Sequence, residues 1–592
     1  MPEEAPEVQA VDEGPGKTPT LAAALARAAR VGRDIDGLRV LDRRERPSFR
    51  QWADVHDRAL RAAGTLAAAG VKPGDRVALI LPTHLDFFDA FFGAIMLGAV
   101  PTPLYPPVRL GRLDEYFDKT VAMLEAADAR ALIVDKRVGR VIGRVLERWT
   151  PPCGLLKLEE LATGEPWTGP GPGPDDLAMV QFSSGTTVAP KPVSLTHRQV
   201  LANARAIVGE LFRAWPEDGF EHSGASWLPL YHDMGLIGCV FPAVDRARAL
   251  TLLPPEVFLA KPGAWLRALS TYRATISPAP DFAYALCVER VTDEELAGVD
   301  LSCWRAALDG AEPIAPAGLR AFVDRFSAFG LRPEAVSPVY GLSEAALAVT
   351  FWPLDQPFRS VAFDRAALAG GRGVPAAADD PHPMELPSLG PPLLGFSVEI
   401  RDEDGIPVPE AVEGRIHVKG PSVMAGYLGR SEQPIVDGWL DTGDLGLLMD
   451  GELFITGRAK DVIVIRGQNH RPWEVERAAD AVEGVRTGCS AAVGDASEGP
   501  ERLLLFVEAR APRPELAEQC KKAVQAATGL EAALVVVLEP GTLPRTSSGK
   551  IRRAETRKQW LAGTLAPPDS VGPLLLAGAL ARSAWARFRH RS

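Results

Sequence analysis

Gly70-Val-Lys-Pro-Gly-Asp-Arg-Val-Ala-Leu-Ile-Leu81 carries the chain from one periodicity to another. Upstream, Arg50 to Ala69 alternates charged and alanine-rich positions at helical spacing. Gly70, Pro73 and Gly74 break that helix, and Val77–Leu81 is a short apolar run that reads as a buried strand. Strand, helix, Gly/Pro turn and strand then recur as far as about residue 350, which predicts an α/β architecture with mostly parallel sheets. The most apolar stretch, Val77 to Val100, contains His84, Asp86 and Asp89. It reads as a strand, a turn and a buried helix, not a membrane span.

From Ser388 the pattern changes to short alternating strands with tight turns: Val398–Arg401, Arg415–Lys419 and Glu452–Thr456. These suggest a small antiparallel or barrel-like subdomain. After Lys460 a compact α+β region follows, with strands expected at Leu503–Val507 and Ala533–Val537. The expected organisation is an acidic, disordered segment 1–18, a large unit 19–459, a C-terminal domain 460–562 and a tail 563–592. That tail pairs an apolar run, Leu574–Leu580, with four arginines and Trp585 and Phe588. It predicts an amphipathic basic helix that either touches a membrane surface through residues 567–592 or lies on its own domain.

At 592 residues the chain exceeds one hydrophobic core. Its net charge of −11 argues against a general nucleic-acid binder. The six cysteines form no Cys-x-x-Cys pair, and the acidic N-terminus has no apolar signal region. Reduced thiols in a cytoplasmic protein are the expectation.

Several segments carry chemistry. Gln181-Phe-Ser-Ser-Gly-Thr-Thr-Val-Ala-Pro-Lys191 lacks Walker spacing, but its hydroxyls and Gly185 suit a phosphate chain; read alone, it is equally an ordinary Ser/Gly turn. His232 lies in Tyr231-His-Asp-Met-Gly235, where a satisfied core histidine is the plainer reading. Asp309-Gly-Ala-Glu-Pro313, Tyr340-Gly-Leu-Ser-Glu344, Thr442-Gly-Asp444, Gly457-Arg-Ala-Lys-Asp461 and Leu543-Pro-Arg-Thr-Ser-Ser-Gly-Lys-Ile-Arg-Arg553 complete the set.

In this order, from about residue 20 to about residue 560, the motifs resemble the adenylate-forming superfamily of acyl-CoA synthetases, luciferases and peptide-synthetase adenylation domains. The resemblance implies a large N-terminal domain of two α/β subdomains plus a β-barrel-like subdomain, followed by a small mobile C-terminal domain. It assigns Ser183, Ser184, Gly185, Thr186, Thr187 and Lys191 to the phosphates of ATP. Gly310, Ala311, Glu312, Tyr340, Gly341 and Ser343 take the adenine and α-phosphate. Asp444 and Arg458 hold the ribose, and His232 borders the acyl tunnel. Glu344 is the ligand for Mg²⁺, with a helix N-terminal carboxylate as its blander reading. Lys550 is the catalytic lysine and Lys460 the hinge. Val188 and Pro192 depart from the glycines frequent in the family.

Pro103–Pro107, Ile276–Cys287 and Arg466–His470 are similar to fatty acyl-AMP ligases in particular, and Phe351 to Pro387 is long for a simple synthetase. In those ligases such an insertion accompanies loss of transfer to CoA. The resemblance therefore implies activation of a fatty acid and transfer to the phosphopantetheine thiol of an acyl carrier protein. The basic run Lys550–Lys558 is the candidate docking patch, or a solvated helix face. A fatty acyl-CoA ligase and a catalytically weak adenylate-binding paralogue are the alternatives.

Overall fold

The computed structural model describes residues 16–107, 113–183, 190–216, 222–431, 433–497, 499–511, 513–546 and 549–568. Most of the acidic N-terminal segment, Ser184, Gly185, Thr186 and Thr187 of the phosphate loop, Val188, and the tail from 569 lie outside them.

Two parallel sheets build the first half of the chain. The larger has eight strands, in the spatial order Ala348–Phe351, Val336–Gly341, Ala306–Asp309, Ile276–Ala279, Gly224–Ser226, Leu250–Leu252, Gly37–Leu41 and Pro47–Gln51. Its interior pairs are parallel and both edge pairs antiparallel. The smaller has four parallel strands, ordered Val100–Leu104, Arg76–Ile80, Ala129–Val134 and Leu155–Lys157. The turn at Gly70–Asp75 does what its residues predict, ending the helix Trp52–Ala68 and starting the strand at Arg76.

Helix Phe87–Leu97 is buried on every side, as its near-continuous apolar sequence requires. Asp89 is its one charged residue. Burying a carboxylate is tolerated only with partners, and Arg50 donates to it at 2.9 Å while Arg58 adds bonds from Nε at 3.1 Å.

A three-stranded sheet links Leu177–Phe182, Pro192–Thr196 and Gly426–Tyr427, so the phosphate loop leaves and re-enters one sheet. The small antiparallel unit expected beyond Ser388 is a five-stranded sheet built on Ser397–Arg401, Gly414–Lys419, Trp439–Met449 and Glu452–Arg458. The 351–387 segment holds a hairpin, Ser360–Phe363 with Met384–Pro387. Phe363 from this hairpin meets Phe454 edge-on at 5.6 Å.

The smaller C-terminal domain carries strands Val485–Asp495, Arg502–Ala509 and Leu534–Leu538 against helices Pro472–Asp480 and Leu516–Thr528. Among the described residues, no helix is long and apolar enough to cross a membrane.

Candidate active site

The sequence motifs sit at the ends of strands from separate sheets that meet at one place. Asp309–Gly310 closes one strand of the large sheet and Tyr340–Gly341 closes its parallel neighbour. A side chain at Gly341 would place its Cβ 1.8 Å from the Leu347 carbonyl, so only glycine fits that close approach. Ala311 takes φ +73°, a left-handed conformation costly for a residue with a Cβ. The strain sits in the loop that presents Glu312.

Tyr340, Asp444 and Arg458 form one connected group. The Tyr340 hydroxyl donates to Asp444 Oδ2 at 2.8 Å, and Arg458 Nε donates to Asp444 Oδ1 at 2.8 Å. Asp444 and Arg458 face each other across an antiparallel pair of strands, which fixes their distance. The Asp444 carboxylate beside Arg458 holds that guanidinium above its ordinary value.

His232, Asp233 and Ser343 form a second group. His232 Nδ1 lies 2.6 Å from Asp233 Oδ1, and the Ser343 hydroxyl donates to Asp233 Oδ2. Burial alone would raise the Asp233 pKa. The adjacent His232 ring and the hydrogen bonds from His232, Ser343 and the Met234 N–H outweigh it and bring the carboxyl down to about 2. His232 is therefore neither isolated nor plain core: a buried anion orients its ring.

Glu344 accepts from the Tyr427 hydroxyl through Oε1 at 2.8 Å. Lys191 is half-buried nearby. Burial lowers its pKa, and the Glu344 carboxylate opposes that shift. Ser183 anchors the start of the phosphate loop, its N–H donating to the Lys191 carbonyl at 3.2 Å.

Lys550 closes a tight hairpin opposite Thr546. Thr546 N–H donates to the Lys550 carbonyl at 2.8 Å, and Lys550 N–H donates to Thr546 Oγ1 at 3.1 Å. Arg545 braces the hairpin, donating to the Gly549 carbonyl and to the Gly488 carbonyl, each at 2.7 Å. The ammonium enters the shared field of all these groups. Burial and Arg458 lower its pKa, while Asp233, Glu312 and Asp444 raise it. Burial pushes the Glu312 carboxyl up to about 7, although Phe282 N–H donates to it at 2.7 Å. Burial, with Asp281 and Glu312 close by, also holds Asp309 well above the ordinary carboxylate range.

Lys460 is exposed in the turn Ala459–Asp461, between the antiparallel sheet and the C-terminal domain. Arg553 grips the C-terminal side of this junction. It donates to Asp461 Oδ2 at 2.9 Å and to both oxygens of Glu476 at 2.6 Å.

The basic run after Lys550 is largely used inside the domain. Arg552 is buried, Arg553 is paired as above, and Arg557 donates to Asp495 Oδ1 at 3.1 Å. Lys558 is left exposed. The 351–387 insertion also reaches this domain, since Arg365 forms an ion pair with Glu474. Close by, Trp473 Nε1 donates to the Thr456 carbonyl at 3.1 Å.

Asp233, Tyr427 and Asp281 belong to the site but were not singled out from sequence. Asp233 stands inside the quoted His-Asp-Met-Gly segment and its adjacency to His232 was the available signal. Tyr427 lies in none of the motifs named above.

The profile of the AMP-binding enzyme family matches residues 39–428. The long-chain-fatty-acid–AMP ligase FadD26 of Mycobacterium marinum is 34% identical over 536 residues, covering 85% of this chain and 90% of the relative. The medium-chain-fatty-acid–[acyl-carrier-protein] ligase JamA of Moorena producens is 32% identical, covering 86% and 89%. A solved structure from work on the fatty acyl-adenylate ligases of E. coli and L. pneumophila superposes with a TM-score of 0.87 at 34% identity, covering 93% of this chain and 99% of its own. With its motifs brought to one site and these relatives matched along most of its length, the chain belongs to the AMP-binding enzyme family and stands in it with the fatty acyl-AMP ligases.

Proposed function

We propose that the protein activates a fatty acid with ATP to acyl-AMP and pyrophosphate, then passes the acyl group to the phosphopantetheine thiol of an acyl carrier protein. The observation that carries this reading is the meeting of Lys550 with Asp444, Arg458, Asp233 and Glu312 in one electrostatic neighbourhood. The names of the ligases FadD26 and JamA support the substrate class, and that of JamA the carrier acceptor.

A fatty carboxylate oxygen attacks the α-phosphorus, and the bond to the leaving pyrophosphate breaks. Two anions must meet, so positioning and charge stabilisation supply most of the acceleration. Asp444, held by Tyr340 and Arg458, accepts from the ribose hydroxyls and sets the nucleotide's depth. Ser343, tied to Asp233, lies beside the α-phosphate with His232. Lys550 places an ammonium between the attacking carboxylate and the α-phosphate. Lys191 faces the outer phosphates.

The residues present fit Mg²⁺. Among the described residues no three His, Cys, Asp or Glu side chains cluster as a metal cage. Mg²⁺ is characteristically held by one or two carboxylates together with substrate phosphates. Glu344 offers such an oxygen, since among the described residues the hydrogen bond it accepts, from Tyr427, falls on Oε1. The chemistry that Mg²⁺ supplies there is neutralisation of charge on the pyrophosphate.

The second half-reaction needs Lys550 out and a thiol in, and Lys460 is the proposed hinge. The ion pair from Arg365 to Glu474 ties the insertion to the domain that would turn, which favours a carrier over free CoA as acceptor. The six free cysteines suit a cytoplasmic setting.

Mass spectrometry of products from Mg-ATP and a fatty-acid panel tests the reading, with CoA in one arm and phosphopantetheinylated carrier protein in the other. Acyl-AMP that persists beside CoA and moves onto the carrier is the expected result. Acyl-CoA would make the chain a synthetase, and no adenylate in either arm would make it a binding paralogue.

A further inference from the structure

Tyr427 lies 83 residues from Glu344 in the chain, yet its hydroxyl donates to Glu344 Oε1 at 2.8 Å. The same ring has the Lys191 ammonium 5.2 Å from its centroid. One side chain thus touches the carboxylate of one nucleotide motif and the cation of another.

The backbone around Tyr427 is fixed in ways unrelated to that contact. Gly426 and Tyr427 pair with Ser194 and Val193 on the strand that leaves the phosphate loop. Ser194 Oγ donates to the Gly426 carbonyl at 2.8 Å, and Leu428 N–H donates to the Pro192 carbonyl at 2.9 Å. Gln433 clamps the other side: its Oε1 accepts from Tyr427 N–H at 2.6 Å and its Nε2 donates to the Arg430 carbonyl at 2.6 Å. Met424 N–H donates to the Glu344 carbonyl at 2.8 Å, tying the segment to the backbone of the acidic residue as well. The phenol is 8% exposed, so its hydroxyl has little access to competing water.

We propose that Tyr427 is a positioning residue that holds the Glu344 carboxylate toward the nucleotide phosphates and away from Lys191. The logic is competition. Glu344 and Lys191 carry opposite charges and both contact the one Tyr427 side chain. A direct Glu344–Lys191 pair would use up both the metal's oxygen and the phosphate's cation. The Tyr427 hydroxyl occupies Oε1 and leaves Oε2 for the metal, while its ring face holds the ammonium by attraction to the π system.

This rests on Glu344 being the metal-binding carboxylate, and the test separates the two ideas. Binding of a non-hydrolysable ATP analogue is measured by calorimetry on the full chain, once in EDTA and once in saturating MgCl₂, for the parent, Tyr427→Phe, Tyr427→Leu and Glu344→Gln. Losing a hydrogen bond to a charged group predicts that Tyr427→Phe weakens the Mg²⁺ arm by about tenfold. Its EDTA arm stays at the parental value, because the ring remains beside Lys191. Tyr427→Leu weakens both arms. Parental Mg²⁺-dependent affinity in Tyr427→Phe, with Glu344→Gln impaired, overturns the positioning role and leaves the metal site standing. Equal loss in both arms of Tyr427→Phe also overturns it, as mere damage to the fold. Parental behaviour of Glu344→Gln overturns both ideas.

Discussion

Tyr340 donates to Asp444 across 104 residues of sequence, joining the end of a strand in the large parallel sheet to the antiparallel sheet that follows it. Asp444 thus has two donors, and Arg458 is the second. Removing the hydroxyl alone leaves the carboxylate charged, paired on one side and free to rotate. Tyr340→Phe is expected to raise the KM for ATP by about tenfold, with kcat nearly unchanged, because a hydrogen bond to a charged group is worth roughly 1.5–3 kcal/mol. Asp444→Ala goes further and abolishes saturation. Pyrophosphate release measured over a range of ATP concentrations checks both.

Lys550 makes the opposite split. Its ammonium matters most as charge shifts in the transition state, so Lys550→Ala is expected to lose on the order of 10²–10³ in kcat. Affinity for a preformed acyl-adenylate stays largely intact. Single-turnover adenylation beside calorimetry with the adenylate gives the two numbers, and near-parental turnover would remove Lys550 from the mechanism.

The exposed turn at Lys460 predicts a variant that separates the half-reactions. Proline fixes φ near −65° and removes a donor. Lys460→Pro should therefore adenylate at close to the parental rate while transfer to a carrier thiol falls. Equal loss of both steps would place the pivot elsewhere.

Glu312 predicts a dependence of stability on pH. Burial, the largest influence, holds its folded pKa up at about 7, well above the unfolded carboxyl value of about 4.3. Below the unfolded pKa the group is neutral in both states and its contribution is fully present. As pH rises through 7, the folded state must bury a charge and that contribution is lost. Glu312→Gln should match the parent near pH 4 and exceed it at pH 8, by on the order of 2 kcal/mol. Chemical denaturation at the two pH values decides it, and an unchanged difference would show that Glu312 is better solvated than its surroundings imply.

Much of this was legible in the residues because the governing physics is local. Gly70, Pro73 and Gly74 stop a helix wherever they occur, and Val77–Leu81 has no use but a buried strand. Short polar motifs likewise named Tyr340, Asp444, Arg458, Glu344 and Lys550. What escaped were the partners supplied by tertiary pairing. Nothing near Tyr427 announces that its strand will pair beside the phosphate loop and meet Glu344. Asp281 looks like an ordinary helix-start aspartate, and only the parallel pairing of the strand before it, Ile276–Ala279, with that of Asp309 brings two carboxyls together. The basic run at Lys550–Lys558 shows the same limit. Arg553 and Arg557 are spent on Glu476, Asp461 and Asp495, carboxylates that sequence order cannot place beside them.

The clasp of Arg553 on Asp461 and Glu476 has a mechanical consequence. It welds the hairpin bearing Lys550 to the very turn that holds Lys460, leaving no slack segment between them. If the domain turns at Lys460, as proposed, the ammonium travels as the tip of a lever whose fulcrum lies one residue from the Asp461 anchor, and a small twist there becomes a long stroke at Lys550.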